Sequence, residues 1–288
     1  MPGKNTNPIS GVNTLKNIHS HRNGNTHLQL MTHDTPTPDF LPTLSVITIV
    51  YNNVQDIERT IQSVVQQIYP HIEYIIIDGA STDGTLQVLE SYRKHIHQLI
   101  SEPDEGIYDA MNKGLRLAKG DYVLFMNSGD EIYASDTVSK VFSSIPFADI
   151  YYGETEMIDQ KGKSLGKRRH HAPRSFTWKS FKYGMSISHQ AIYIKKSITT
   201  PFDRAYELSA DIDWILAAAK KARLIVNTHQ FVAKYLVGGM SKKRHRQSLQ
   251  ERFQIFSKYY GFIPNVFNHV IIAINLVWYY LWHGRTND

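Results

Sequence analysis

Between residues 44 and 126, short β-branched runs alternate with stretches whose apolar residues recur at helical spacing. Ser45-Val46-Ile47-Thr48-Ile49-Val50 predicts a buried strand. After Tyr51-Asn52-Asn53, Ile57, Ile61, Val64, Val65 and Ile68 share one helical face, and Pro70 ends that helix. Ile72 to Ile77 is almost continuously apolar, as a parallel strand covered on both faces would be, and it runs into Asp78-Gly79. A second helix, with Asp83 or Ser81 as its cap, buries Leu86, Leu89 and Tyr92. Leu99-Ile100 starts a third strand. Tyr108 to Lys119 predicts a third helix with Gly120 as its stop. Tyr122 to Met126 is a fourth strand, leading into Asn127-Ser128-Gly129-Asp130. Strands and helices alternating at this spacing predict βαβ units and an α/β fold with a mostly parallel sheet.

The pattern changes on either side. Residues 1–42 are rich in Asn, His, Thr, Ser and Pro without a sustained apolar period, and they predict a flexible leader too polar to offset its ordering entropy. Beyond residue 133 the alternation loosens. Ile150-Tyr151-Tyr152 predicts a strand, Lys161-Gly162 a turn between extended segments, Ser188 to Ile194 another strand, and Ile212 to Ala222 a helix. Last come a basic run, Lys242-Lys243-Arg244-His245-Arg246, then a helix, then an apolar segment from Val266 to Trp282. These shifts divide the chain into a leader (1–42), a large domain (43–241, with halves 43–133 and 134–241) and a C-terminal helical segment (242–288).

Composition narrows the chemistry. With 288 residues, 42% hydrophobic and 11% aromatic, the chain can bury a sizeable core. It has no cysteine, which excludes disulfides and thiolate metal sites and fits a reducing compartment. The first residues lack a signal peptide's apolar region, so a cytoplasmic location is expected. The net charge of +6 suits an anionic partner such as a nucleotide phosphate or a lipid headgroup. A nucleic-acid module would interleave basic and aromatic residues on one face, and carboxylates at the sheet edge would repel its phosphates, so no nucleic-acid partner is expected. The 14 histidines are scattered or lie in the leader (His19, His21, His27, His33), and His170-His171 falls in a basic loop. No helical His pair stands beside a carboxylate, which argues against a zinc enzyme.

Open α/β sheets bind ligands outside the carboxyl ends of their strands. Three strands end there in polar clusters: Tyr51-Asn52-Asn53, Asp78-Gly79-Ala80-Ser81-Thr82-Asp83 and Asn127-Ser128-Gly129-Asp130. An Asp after a strand is often only a helix cap, as Asp83 can be, but three clusters in series point to a site. Carboxylates there suit a hard divalent cation bridging a diphosphate, because Mg²⁺ and Mn²⁺ prefer oxygen ligands and substrate phosphates. A nucleotidyltransferase shares this layout, yet it would usually carry a Gly-rich basic loop after the first strand, and Tyr51-Asn52-Asn53 is not one.

These residues carry a resemblance. Val46-Ile47-Thr48 with Tyr51-Asn52, Ile77 to Thr85, Glu102 to Gly106, Ile107-Tyr108-Asp109-Ala110-Met111-Asn112-Lys113-Gly114, and Ala118 to Asp130 follow the order and spacing of the family 2 glycosyltransferases. The likeness covers roughly residues 44–240, and residues 44–133 resemble the family's nucleotide-sugar-binding half. Within the family it is similar to enzymes of bacterial exopolysaccharide and lipopolysaccharide assembly, including the colanic-acid type. The resemblance implies a GT-A fold: a Rossmann-like, mostly parallel sheet flanked by helices, here with a C-terminal helical extension. It implies an inverting transfer of a hexosyl or N-acetylhexosaminyl group from a nucleotide-sugar, a UDP-sugar first, to a saccharide or lipid-linked saccharide acceptor. The alternative is a nucleotide-sugar-binding protein of the same fold with weak or no catalysis.

The resemblance also implies roles. Asp78 matches the acid that hydrogen-bonds the donor's base, and Tyr51 matches a residue of the base pocket. Asn52 and Ser81, on the same two loops, join the donor set. Asp109 and Asn112, beside Lys113, fall in the donor-binding helix. Asp130 matches the acid that ligates Mn²⁺ or Mg²⁺ across the diphosphate. The family's motif usually has further carboxylates, where this chain has Asn127 and Gly129. Ser209-Ala210-Asp211-Ile212-Asp213-Trp214 resembles the family's base motif, with Asp211 on the base and Asp213 second; either could instead only favour the helix N-terminus. His189, in Ser188-His189-Gln190, matches an element near the acceptor or the diphosphate, or is structural. Trp214 is expected in the core. At the C-terminus, Val270 to Trp282 is shorter than a bilayer span but carries interfacial aromatics. Together with the basic run it predicts peripheral contact of 242–288 with the inner membrane face, ahead of a buried helix or a homodimer contact.

Overall fold

The two runs without a polar face build the centre of the sheet. β1 (Leu44–Val50) is buried along its whole length, and β2 (Ile72–Asp78) pairs parallel to it from Leu44↔Ile72 to Val50↔Asp78. β3 (Gln98–Ser101) extends the sheet beyond β2, and β4 (Tyr122–Phe125) lies on the other side of β1, both parallel. The crossovers are α1 (Ile57–Val65), α2 (Thr85–Ser91) and α3 (Ile107–Leu117). The computed structural model describes residues 41–168, 171–184, 187–238 and 244–283. The leader therefore lies outside the described residues, apart from its last two positions.

The second half completes the sheet with mixed pairing. β5 (Glu131–Ile132), α4 (Thr137–Ser144), β6 (Ile150–Ile158), β7 (Ser164–Lys167), β8 (Ile192–Lys195), α5 (Ala210–Lys221) and β9 (Ile225–Leu236) follow in the chain. Among the described residues the sheet has nine strands, ordered β3-β2-β1-β4-β8-β6-β9-β5, with β7 on β6. β8 runs antiparallel to β4 through only Tyr122↔Lys195 and Val123↔Ile194, while β6 and β9 are parallel. β5 pairs with β9, yet Thr60 of α1 donates to the Asp130 carbonyl and Ser63 of α1 accepts the Ile132 N–H. The far edge of the sheet is thus drawn back toward α1.

Side chains alternate between the two sheet faces, as strand geometry requires. Ile47, Ile49, Ile75 and Ile77 face one core with Met111 and Trp214, and Val46, Val50, Tyr74 and Ile76 face the other with Ile57, Ile61 and Val138. Trp214 is core, stacked on Phe202 at 5.0 Å. Gly114 lets α3 press onto β1, since a Cβ there would stand 2.4 Å from Ile47. Gly120 is not the helix stop expected of it: α3 ends at Leu117, and a Cβ at Gly120 would meet Thr43 O at 2.7 Å. Its role is close backbone approach. Ser81 does not cap α2 either. Asp83 secures that start, accepting from the Thr85 and Val54 N–H groups at 3.0 Å each.

Two helices follow the sheet: α6 (His245–Tyr260) and α7 (Phe262–His283). Asn265 is fully buried between them, donating to Phe253 O and Ser257 Oγ. Ile263, Phe267, Val270, Ile274 and Trp278 of α7 are each at least half exposed, and they recur at three- and four-residue spacing. Among the described residues no helix is long and apolar enough to cross a membrane.

Candidate active site

The carboxyl ends of β1, β2 and β4 do converge, and the loops that follow them are tied together. Asn52 sits at φ 46°, a left-handed conformation that a short polar residue tolerates, and its Oδ1 accepts the Thr82 N–H at 2.8 Å. The Asn52 N–H in turn donates to Ser81 Oγ at 2.8 Å. Ser81 then donates through its hydroxyl and N–H to Asp78, and Ser101 Oγ donates to the same carboxylate at 2.6 Å. Asp78 is fully buried, so these donors are what make its burial tolerable. Tyr51 is 65% exposed and flanks Gly79, where a Cβ would lie 3.1 Å from its ring and 2.6 Å from Asp104. Gly79 thus lets the Tyr51 ring and the Asp104 carboxylate approach the end of β2, next to the buried Asp78.

The next cluster is spent differently from expectation. Asp109 and Lys113 pair at 3.6 Å, and Lys113 also binds Glu102 and Pro103 O, each at 2.8 Å. Asn112 turns away: its amide accepts the Phe202 N–H and donates to the Phe202 carbonyl at 2.8 and 3.0 Å. A buried carboxamide so paired joins α3 to the segment before α5 and has nothing left for a ligand.

A hydrogen-bonded chain links the β4 turn to α5. Asp211 is acceptor-only when ionised, so His189 Nδ1 carries the proton and donates to Asp211 Oδ2 at 3.1 Å. His189 Nε2 then accepts from Asn127 Nδ2 at 3.1 Å. Asp211 Oδ1 accepts from Tyr108 Oη at 3.2 Å and from the Ile212 N–H at 3.0 Å. His189 lies in a 3₁₀ turn (His189–Ala191) rather than in the strand expected from Ser188, and the turn aims its ring at both neighbours. Burial pushes the Asp211 carboxyl up, but His189, Arg252 and Tyr108 outweigh it and hold the carboxyl below its ordinary value. Burial first, and Asp211 second, keep the Tyr108 phenol far above its usual range, so it stays a donor. Asp213 does not join this chain. It is buried, and Lys258 of α6 pairs with it at 2.9 Å. The structure thus separates the two candidate bases.

Asp130 stands on the β4 turn. It is 6% exposed, with one oxygen accepting the Leu236 N–H at 3.0 Å. Burial raises its carboxyl from 3.8 to about 7, although the nearby His189 and the Leu236 N–H work the other way. Among the described residues no group of three or more His, Asp or Glu could hold a metal. A lone buried carboxylate with a single N–H donor fits a hard cation that brings its other oxygen ligands on a diphosphate, not a protein-built cage.

Tyr108 and Ser101 are site residues that the sequence reasoning passed over. Tyr108 lies inside the matched stretch Ile107 to Gly114, so the signal was present. Ser101 follows a four-residue strand and belongs to no distinctive pattern.

Comparison with known proteins shows the family. The model of Glycosyl transferase family 2 matches residues 45–213. An uncharacterized glycosyltransferase of Mycobacterium tuberculosis is 32% identical over 188 residues, covering 62% of this chain and 69% of that protein. TuaG of Bacillus subtilis, a glycosyltransferase assigned to teichuronic acid biosynthesis, is 38% identical over 142 residues, covering 48% of this chain and 56% of TuaG. Among solved structures, the mannosyltransferase PcManGT of Pyrobaculum calidifontis, in complex with GDP-Man and Mn²⁺, aligns with a TM-score of 0.56 at 16% identity, over 90% of this chain and 81% of that one. That last likeness concerns the fold, whereas the family match spans the converging strand ends and reaches the first turn of the helix that carries Asp211. The chain belongs to glycosyl transferase family 2.

Proposed function

We propose that this glycosyltransferase moves a sugar from a nucleotide-sugar, a UDP-sugar first, to a saccharide or lipid-linked saccharide of a bacterial cell-surface polysaccharide, with inversion at the anomeric carbon. The observation that carries the reading is the His189 bridge. It joins Asn127, at the strand end where a donor would sit, to Asp211, the carboxylate that can take a proton from an acceptor hydroxyl. Asp211 is held ionised and oriented by Tyr108 and His189, as a general base must be. With a single such carboxylate in this hydrogen-bonded chain among the described residues, direct displacement is the economical route. Asp78, reached from Ser81 and Ser101, and Tyr51 would receive the base of the donor. Asp109 and Lys113 line the approach along α3.

Asp130 would hold Mn²⁺ or Mg²⁺, which would stabilise the charge gathering on the leaving nucleoside diphosphate. PcManGT, similar in fold, is seen with GDP-Man and Mn²⁺. The exposed apolar stripe of α7 would place the enzyme on a membrane that carries the acceptor, and TuaG's assignment supports the surface-polysaccharide reading. The test is a transfer and hydrolysis assay over UDP-, GDP- and dTDP-sugars with Mn²⁺. Turnover of one donor, with the anomeric configuration inverted in the product, is expected. A product of retained configuration, or no turnover of any donor, would overturn the reading.

A further inference from the structure

Two arginines flank the proposed base without a hydrogen bond to it among the described residues. Arg168 follows β7, and its N–H donates to Thr155 O at 3.4 Å. Thr155 Oγ1 lies 2.8 Å from Ser188 Oγ, next to His189, which binds Asp211. Arg252 arrives from the other side, on α6. That helix is seated on the start of α5: Ser248 lies 3.3 Å from Ser209, and Glu251 accepts the Glu207 and Leu208 N–H groups at 3.1 and 2.9 Å. Both cations are within electrostatic range of Asp211, and Arg168 is within range of Arg252.

Neither guanidinium donates a hydrogen bond among the described residues, and Arg168 Nη1 and Arg252 Nε are sealed from solvent without an acceptor. The nearby carboxylates are occupied. Asp211 is taken by His189, Tyr108 and the Ile212 N–H, and Glu251 by two backbone N–H groups. A buried guanidinium with unmet donors is costly, and the repulsion of a second one adds to that. What fits between two such forks is an oxyanion, which each can bind bidentately.

We propose that Arg168 and Arg252 form an oxyanion subsite beside Asp211 that holds a phosphate or carboxylate carried by the acceptor. The assignment to the acceptor rests on reading Asp211 as the base, because the acceptor hydroxyl must reach that carboxylate. The subsite itself does not. Its arginines are carried by the segment after β7 and by α6, not by the loops that follow β1, β2 and β4.

Calorimetric titration of the full chain tests this in three arms: inorganic phosphate, glucuronate, and UDP and GDP with Mn²⁺. Arg168→Gln and Arg252→Gln are expected to weaken the preferred anion about tenfold or more, as loss of a charge-assisted bond should. Nucleotide affinity should stay within about twofold, a difference too small to represent a lost charged contact. The stronger of the first two arms names the acceptor's group. Without anion, both variants should melt at or above the wild-type temperature, because an unpartnered buried charge is removed. Anion binding that is absent in wild type or unchanged in both variants overturns the subsite, as does a clear drop in melting temperature. Nucleotide affinity that falls tenfold would instead place the donor's diphosphate there. Arginine-dependent anion binding without any nucleotide binding would sink the transferase reading and leave the subsite standing.

Discussion

Asp211 and Asp213 are two residues apart on one helix, and the helical repeat sends their side chains to different neighbours. Asp211→Asn is expected to cut turnover by a factor on the order of 100 or more while donor affinity barely moves, since a base acts on the acceptor proton and not on donor binding. Asp213→Asn should leave most turnover and instead loosen the contact with Lys258, to be seen as a lower unfolding midpoint. If Asp213→Asn is the dead variant and Asp211→Asn turns over, the base has been misassigned. Asp130 has its own signature. Its folded carboxyl titrates near 7, whereas the unfolded one titrates near 3.8. Between those values the folded chain keeps a proton that the unfolded chain has lost, so stability falls as pH rises across the window and levels off above it. Asp130→Asn should flatten that slope, by ~4 kcal/mol at the most, in denaturant melts run with EDTA from pH 4 to 8. Equal slopes would mean that the carboxyl is not desolvated. At this scale the sequence located residues at the end of a strand or the start of a helix, and the structure finds Asp78 at the end of β2, Asp130 in the turn after β4 and Asp211 in the first turn of α5. It misled at Asn112, whose partner is a backbone segment 90 positions away.

The elements divide along similar lines. β1, β2 and β4 were readable because both their faces are buried, leaving unbroken apolar runs. β9 was not, since its twelve residues mix buried and exposed positions and include Asn227, Thr228, His229 and Gln230. Its place is set by pairing with β6, which no local pattern reports. Ser188 to Ile194 looked uniformly extended, yet its first part winds into the turn that presents His189. α7 is the element whose surroundings least explain it. If its exposed stripe meets lipid, the full chain should sediment with anionic vesicles, and truncation from Val266 onward should release it. That truncation spares Asn265 and its bonds to α6. A full chain that never sediments would assign the stripe to packing or to a second copy. The basic run that would assist is only partly within the described residues, and Arg244 pairs with Glu207 at 2.8 Å.

At the scale of the molecule, residues 43–133 and 134–241 share one sheet, whose strands pair across the divide at two short joins. β4 touches β8 through two register pairs, and β5 touches β9 through two more. With one protein carboxylate for a cation, removal of divalent metal should weaken nucleotide diphosphate binding strongly while barely moving the melting temperature. A protein-built metal cage would show a large loss of melting temperature in EDTA. The overall architecture was legible because alternation of strand and helix constrains a parallel sheet so tightly. The return of β5 toward α1 was not, because it depends on side chains of α1 reaching the turn after β4. The two-pair join between β4 and β8 also bears on how such enzymes diversify. Few backbone pairs need to match across it, but Phe202 and Trp214 pack on Phe125 and Phe202 bonds Asn112, so a second half from a different relative could be spliced on only if it kept those contacts. The splice would be silent, however, unless the incoming piece carried a histidine able to meet Asn127. Recombinants selected for folding alone should therefore far outnumber those selected for transfer, and reintroducing that histidine should revive a share of the inactive ones.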